Sequence, residues 1–147
     1  MQVPVMNNEK FKTLWASFGQ NEWPTLLDYS TAMNADTETI SVEIKCHVPA
    51  DLSWFAGHFP EQPVLPGVVQ THWAGELSAV LFPVGDFQQV NGLKFKSMIL
   101  PDTHVILSLV FKAEKSNVAF RYESVLSEHS HSKSSSEVFT TGSLLFK

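Results

Sequence analysis

Cysteine is almost missing from this chain: Cys46 is the one thiol in 147 residues. A single cysteine excludes an internal disulfide framework and a multi-cysteine zinc site, and it suits a reducing compartment. Basic charge is also scarce, with 10 Lys and Arg against 15 Asp and Glu and a net charge of -5. That balance argues against a general nucleic-acid binder, which carries a basic face. No apolar run approaches the ~18 residues of a membrane span. The first residues, MQVPVMNNEKF, have neither a basic start nor a long apolar stretch, so no secretory leader is expected. The default expectation is a soluble cytoplasmic protein with no nucleic-acid partner and no membrane span.

What is present suffices for one core. Hydrophobic residues make up 44% of the chain and charged residues 17%, the balance of a globular protein. The length suits one domain over residues 1–147, with residues 1–36 as an N-terminal helix and lead-in and residues 37–147 as the core. A domain this size buries roughly 68–70% of the surface its unfolded chain exposes, so it needs no disulfide or metal staple.

Hydrophobic spacing then divides the chain. Phe11, Leu14, Trp15 and Phe18 recur at helical intervals, which predicts a short amphipathic helix stopped near Gly19. Residues 26–33 read as a strand, followed by a turn at Asn34-Ala35-Asp36. Next, Ile40, Val42, Ile44, Cys46 and Val48 alternate with polar residues, the period of a strand with one buried face. Cys46 falls on the apolar face and reads as a small core residue rather than a nucleophile. In the last third, four further strands are predicted on the same logic, including one on which Leu93, Phe95, Ser97 and Ile99 share a face and Lys94 and Lys96 the other. Short connections make these strands antiparallel. The polar stretch EHSHSKSSSE reads as a loop. His47, His104, His129 and His131 stand in no motif and read as surface residues.

Residues 51–82 differ in character. A loop rich in aromatics, Gly and Pro, WFAGHFPEQPVLPG, is held out of helix by its prolines. The mostly apolar run VVQTHWAGELSAVLF follows and stops at Pro83. A helix there would be about 23 Å long at ~1.5 Å per residue, apolar on most sides and therefore buried in its domain. The expected fold class is α+β: an antiparallel sheet wrapped around a central buried helix.

The segment GHFPEQPVLPGVVQTHWAGEL resembles the active-site segment of the β-hydroxyacyl-acyl-carrier-protein dehydratases, the FabA/FabZ group of hot-dog-fold enzymes. It carries His58-Phe59-Pro60, then Pro63-Val64-Leu65-Pro66-Gly67, then a helix. The later stretch LKFKSMILPDTHVILSLVFKAE is similar to the family's strand pair after the helix. The resemblance spans roughly residues 40–147. It implies a hot-dog fold and a homodimer or dimer-based oligomer, with base and facing acid drawn from different protomers. It also implies no cofactor and a 3-hydroxyacyl chain on an acyl carrier protein, in fatty-acid, polyketide or aryl-polyene-type synthesis.

The residue types fit that chemistry. Dehydration of a 3-hydroxyacyl thioester needs a base at C2, a proton donor for the hydroxyl at C3, and polarisation of the thioester carbonyl. His58 suits the base, since histidine titrates near operating pH. The Gly67 N–H suits the carbonyl, as a donor at the positive end of a helix dipole, and glycine admits close approach. The resemblance implies that the Val64 carbonyl holds the His58 imidazole in one tautomer. It also implies a carrier-protein docking role for Lys94 and Lys96; ordinary solvated lysines are the plainer alternative.

The donor is where the sequence departs from the family. Fourteen residues after His58 the family has Asp or Glu, and this chain has His72. Four residues later stands Glu76, on the same helical face. An imidazolium at His72, paired with Glu76, can donate the proton, or Glu76 can do so itself. Alternatively the acid is lost and the protein binds acyl chains or a partner subunit without fast dehydration, or the pair is a buried hydrogen bond. A hot-dog acyl thioesterase using Glu76 is a further alternative. No metal site is expected, because two ligands are too few for zinc.

Overall fold

The computed structural model describes residues 8–19, 21–56, 61–125 and 137–147. A short helix α1 (Asn8–Ala16) leads into β1 (Thr25–Asn34) and β2 (Thr39–Val48). Helix α2 (Gly67–Leu81) follows, and then β3 (Phe87–Phe95), β4 (Thr103–Lys112), β5 (Asn117–Ser124) and β6 (Val138–Phe146). The strands form one antiparallel sheet in the order β1-β2-β4-β5-β6-β3. Strand β3 therefore leaves α2, crosses to the far edge of the sheet and pairs with β6.

The alternating pattern of β2 produces the expected two-faced strand. Ile40, Val42, Ile44, Cys46 and Val48 are all buried, and Val105, Leu107, Leu109 and Phe111 of β4 continue the same inner face. Burying one such side chain contributes about 1.5–3 kcal/mol, so this inner layer supplies much of the folding free energy. The turn after β1 is an Asx turn: the Asn34 side-chain oxygen accepts from the Asp36 and Thr37 amides at 3.0 and 3.3 Å. Helix α1 lies over β1, with Phe11 fully buried and stacked on Tyr29 at 3.9 Å.

Helix α2 begins where the proline-rich loop ends. Pro66 is its N-cap, and its carbonyl accepts from the Val69 and Gln70 amides. No side chain caps this end. At the other end Phe82 adopts φ -122° and ψ 152°, the extended conformation that a following proline imposes. Between them, Val69, Trp73, Ala74, Leu77 and Leu81 pack on the sheet. The buried polar groups on this face are satisfied. Gln70 donates to the Leu65 carbonyl at 3.2 Å, accepts from Thr140, and lends its backbone carbonyl to the Tyr122 hydroxyl at 2.6 Å. Ser78 donates to Ala74 one turn back.

Two expectations need correction. The helix is not buried all round: Val68, His72, Glu76 and Val80 form an exposed stripe with four-residue spacing, and Val68 is 76% exposed. An average apolar content cannot reveal this, because one stripe suffices to pack on a single sheet. Second, β3 begins six residues before Leu93 and ends at Phe95. Beyond it Ile99 is fully buried in irregular chain, and its carbonyl accepts from the Leu65 amide at 2.8 Å. The alternation expected from Leu93 to Ile99 therefore stops at Phe95, where the strand ends, while Gly92, at φ 61°, sits where the β3–β6 register shifts between Asn91 and Lys94. Leu93 and Phe95 both face solvent, at 40% and 54% exposure. His47 and His104 do lie at the surface, His47 3.3 Å from Asp102. His129, His131 and nearly all of the polar loop around them lie outside the described residues.

Burial pushes the Cys46 thiol from its ordinary 9.0 up to about 12. It pushes the Tyr122 phenol well above its usual range, and Cys46 adds to that rise. Below the ordinary thiol value both folded and unfolded chains hold these protons, so stability is unaffected there. At higher pH the unfolded chain releases a proton that the folded chain keeps, and stability falls until the folded value near 12 is reached. Denaturant midpoints measured as the pH rises above 9.0 are therefore expected to fall less steeply in Cys46→Ala than in the parent. Equal slopes would contradict the assignment.

Candidate active site

The proline loop is tied down at its C-terminal end. Val64 and Leu65 are buried, and the Leu65 amide bonds to Ile99. This places Gly67 at the start of α2 with Phe95, at the end of edge strand β3, directly against it. A Cβ built on Gly67 would fall 2.3 Å from the Phe95 ring. A side chain at Gly67 would have to displace the solvent-facing Phe95 ring, so the constraint here is close approach, not an unusual backbone angle. His58, with Phe59 and Pro60, lies outside the described residues. The imidazole that the Val64 carbonyl is expected to orient therefore has no described geometry.

His72 and Glu76 sit one turn apart on the exposed stripe of α2. Among the described residues no ion pair or hydrogen bond joins them, so the reading of the pair as a buried hydrogen bond is not what the structure contains. The His72 ring instead meets Trp23, with centroids 6.2 Å apart and planes at 53°. Trp23 belongs to the lead-in between α1 and β1, a segment to which sequence reasoning gave no part in the site. Lys94 and Lys96 are both exposed, Lys94 near the end of β3 and Lys96 just beyond it. The Lys96 amide bonds to Phe139 at 2.8 Å.

Two exposed surfaces meet at the Gly67–Phe95 contact. One is the α2 stripe of Val68, His72, Glu76 and Val80. The other is the free edge of β3 with the apolar side chains Phe87, Leu93 and Phe95, followed by Met98 and Leu100. A signal for the stripe was present in the sequence, in the strict four-residue spacing of positions 68, 72, 76 and 80. A groove of about 550 Å³ is lined by Lys12, Trp15, Phe18, Trp23, Leu26 and Leu52 among others. It shares Trp23 with the His72 contact but does not include Gly67, His72 or Glu76. Among the described residues no group of three or more His, Cys, Asp or Glu side chains is placed to hold a metal ion.

Chemically, the arrangement puts an uncapped helix N-terminus, a donor-bearing histidine and a carboxylate along one open helix face. Amides at a helix N-terminus favour developing negative charge. A titratable side chain one to two turns further on is suited to proton transfer.

An antiparallel sheet with a single long helix against it, entered through a proline-rich loop, is the hot-dog arrangement. Residues 33–136 match the family described as ApeI-like, ApeI dehydratase, and the chain belongs to that family. Among curated relatives, it is similar to the 3-hydroxyacyl-[acyl-carrier-protein] dehydratase FabZ of Listeria welshimeri, 30% identical over 69 residues, covering 42% of this chain and 48% of that protein. The chain thus spans about half the length of the first curated relatives it matches. Among solved structures, it is similar to an uncharacterized protein from Erwinia carotovora at 28% identity and a TM-score of 0.74, covering 85% of this chain and 96% of that one. It also shares the fold of the dehydratase heterocomplex ApeI:P from Xenorhabdus doucetiae, at 24% identity and a TM-score of 0.66 over 84% of this chain and 96% of that one.

Replacing Gly67 by alanine forces the Phe95 ring away. Because that ring is half-exposed and can swing outward, Gly67→Ala is expected to destabilise by less than the about 1–3 kcal/mol of an overpacked core. Adding Phe95→Ala is expected to recover part of that loss. Thermal denaturation of both single variants and the double variant measures the coupling directly.

Proposed function

We propose that this protein dehydrates a 3-hydroxyacyl thioester, held on the phosphopantetheine arm of an acyl carrier protein, to the trans-2-enoyl thioester. Fatty-acid, polyketide or aryl-polyene-type synthesis would supply such a substrate. The observation that carries this reading is the open face of α2, which presents His72 and Glu76 just beyond an uncapped helix N-terminus, within the segment that matches the dehydratase family. His58 takes the proton from C2. The Gly67 amide and the dipole of α2 polarise the thioester carbonyl as charge builds on its oxygen. His72, with Glu76 as its neighbour or substitute, gives a proton to the hydroxyl at C3, which departs as water. The Val64 carbonyl orients His58. The proton gained by His58 and the one lost from the donor balance over the cycle.

The working unit in this reading is a homodimer. A protomer whose donor face and edge strand both stand open has an incomplete site, and a free strand edge carrying Phe87, Leu93 and Phe95 calls for cover. Lys94 and Lys96 lie beside that edge and suit an acidic carrier protein. The whole of residues 1–147 acts as one domain, in the cytoplasm. A second reading follows from the histidine at the family's acid position: this chain pairs with a different hot-dog subunit that supplies the acid. The similarity in fold to the dehydratase heterocomplex ApeI:P from Xenorhabdus doucetiae supports this second reading.

Incubation with a 3-hydroxyacyl thioester distinguishes the activities. Enoyl absorbance supports dehydration, thiol release indicates a thioesterase, and neither indicates a binding or partner subunit. His58→Ala is expected to lower turnover by roughly 10²–10⁴ with the fold retained. His72→Glu, which restores the family's residue, is expected to keep or raise activity, and His72→Ala to lose most of it. If His72→Ala and Glu76→Gln both leave the rate unchanged, neither residue is the donor. Sedimentation giving a fully active monomer would overturn the homodimer.

A further inference from the structure

The lead-in between α1 and β1 falls outside the family match, which starts at residue 33, yet it is bonded both to residues 53 and 54 and to helix α2. The Asn21 carbonyl accepts from the Ser53 amide at 2.8 Å and from the Ser53 hydroxyl at 3.0 Å. The next carbonyl, of Glu22, accepts two indole N–H groups, Trp54 at 2.8 Å and Trp73 at 3.0 Å. Trp54 stands four residues before His58, and Trp73 is the neighbour of His72 on α2. One short stretch of backbone, with Asn21 at φ 66°, therefore clasps the strand-to-loop segment to the helix. Trp23 completes the clasp. It stacks on Phe18 at 3.9 Å, packs on Trp73 at 5.9 Å and meets the His72 imidazole at 6.2 Å.

We infer that Trp23 is a positioning residue for His72, and that the clasp through Asn21 and Glu22 holds the indole where it restricts the imidazole's rotation. The inference rests on the reading of His72 as proton donor. Within the protomer His72 is exposed and has no hydrogen-bond partner among the described residues, so there the Trp23 contact is what limits rotation about its two torsions. Aromatic rings attract at centroid separations of about 4.5–7 Å, and the Trp23 ring is itself held by Phe18 and Trp73. An exposed donor that must reach one hydroxyl gains rate from such restriction, since a misplacement of about 1 Å can cost about 10²-fold. Trp23 touches no reacting atom; it acts through His72.

The test combines kinetics with spectra of the full chain. Trp23→Leu is expected to lower kcat by about tenfold or more while KM changes little, and Trp23→Phe, which keeps a ring, to restore most of it. In the residual activity of His72→Ala, adding Trp23→Leu is expected to have almost no further effect, the non-additivity of residues that act as a unit. Equal losses with and without His72 would overturn the inference. Imidazole NMR reads the same contact without turnover. The parent is expected to show proton–proton contacts between the rings at positions 23 and 72 and a single His72 rotamer, and Trp23→Leu an averaged one. Absence of those contacts in the parent overturns the inference. A parent that shows them but has no dehydratase activity overturns the proposed reaction and leaves the positioning role intact. Trp23→Phe supplies the comparison if Trp23→Leu does not fold.

Discussion

The rotational setting of α2 about its own axis governs everything the site presents, and Gln70 sets it. Its side chain bonds to Leu65 in the loop before the helix and to Thr140 on β6, while its backbone carbonyl receives the Tyr122 hydroxyl from β5. Each of these polar groups is buried, so a turn of the helix would leave them unpaired at about 1–3 kcal/mol apiece. One residue of rotation is roughly 100°, enough to carry His72 from the open face into the core. Trp73 reinforces the setting from the adjacent position, with its ring buried and its N–H on Glu22.

With α2 fixed in this way, the four-residue stripe from Val68 to Val80 must face outward, and it is an unusual thing to leave in water. Val68 and Val80 are apolar and yet exposed, and the adjoining edge of β3 carries three more large apolar side chains. A globular chain gains by covering such surface. The packing that buries the inner face of α2 and the packing left undone on its outer face are consequences of one choice of helix rotation. The same choice brings Gly67 under Phe95 and so joins the helix N-terminus to the sheet edge.

The N-terminal lead-in shows how a segment without a motif acquires a role. Two of its backbone carbonyls, those of Asn21 and Glu22, between them receive four donors from Ser53, Trp54 and Trp73. Such bonds join residues 32 to 51 positions apart along the chain. No local pattern announces them, because each indole or hydroxyl takes whatever acceptor the fold brings within reach.

The sequence by itself determined the two-faced strands β2 and β4, the start of α2 after its prolines and its end before Pro83. Each of these follows from local rules, the alternation of side chains along a strand and the backbone limits of proline. It also determined the kinds of residue along the helix, since the dehydratase-like motif lies within one continuous stretch. Only the tertiary structure decided that α2 has an open face, that β3 runs from Phe87 to Phe95 and sits at the sheet edge, and that Trp23 meets His72. Those outcomes depend on which distant groups compete for the same buried space and the same acceptors. That competition is settled between elements far apart in the chain, where no spacing within a single segment can record it.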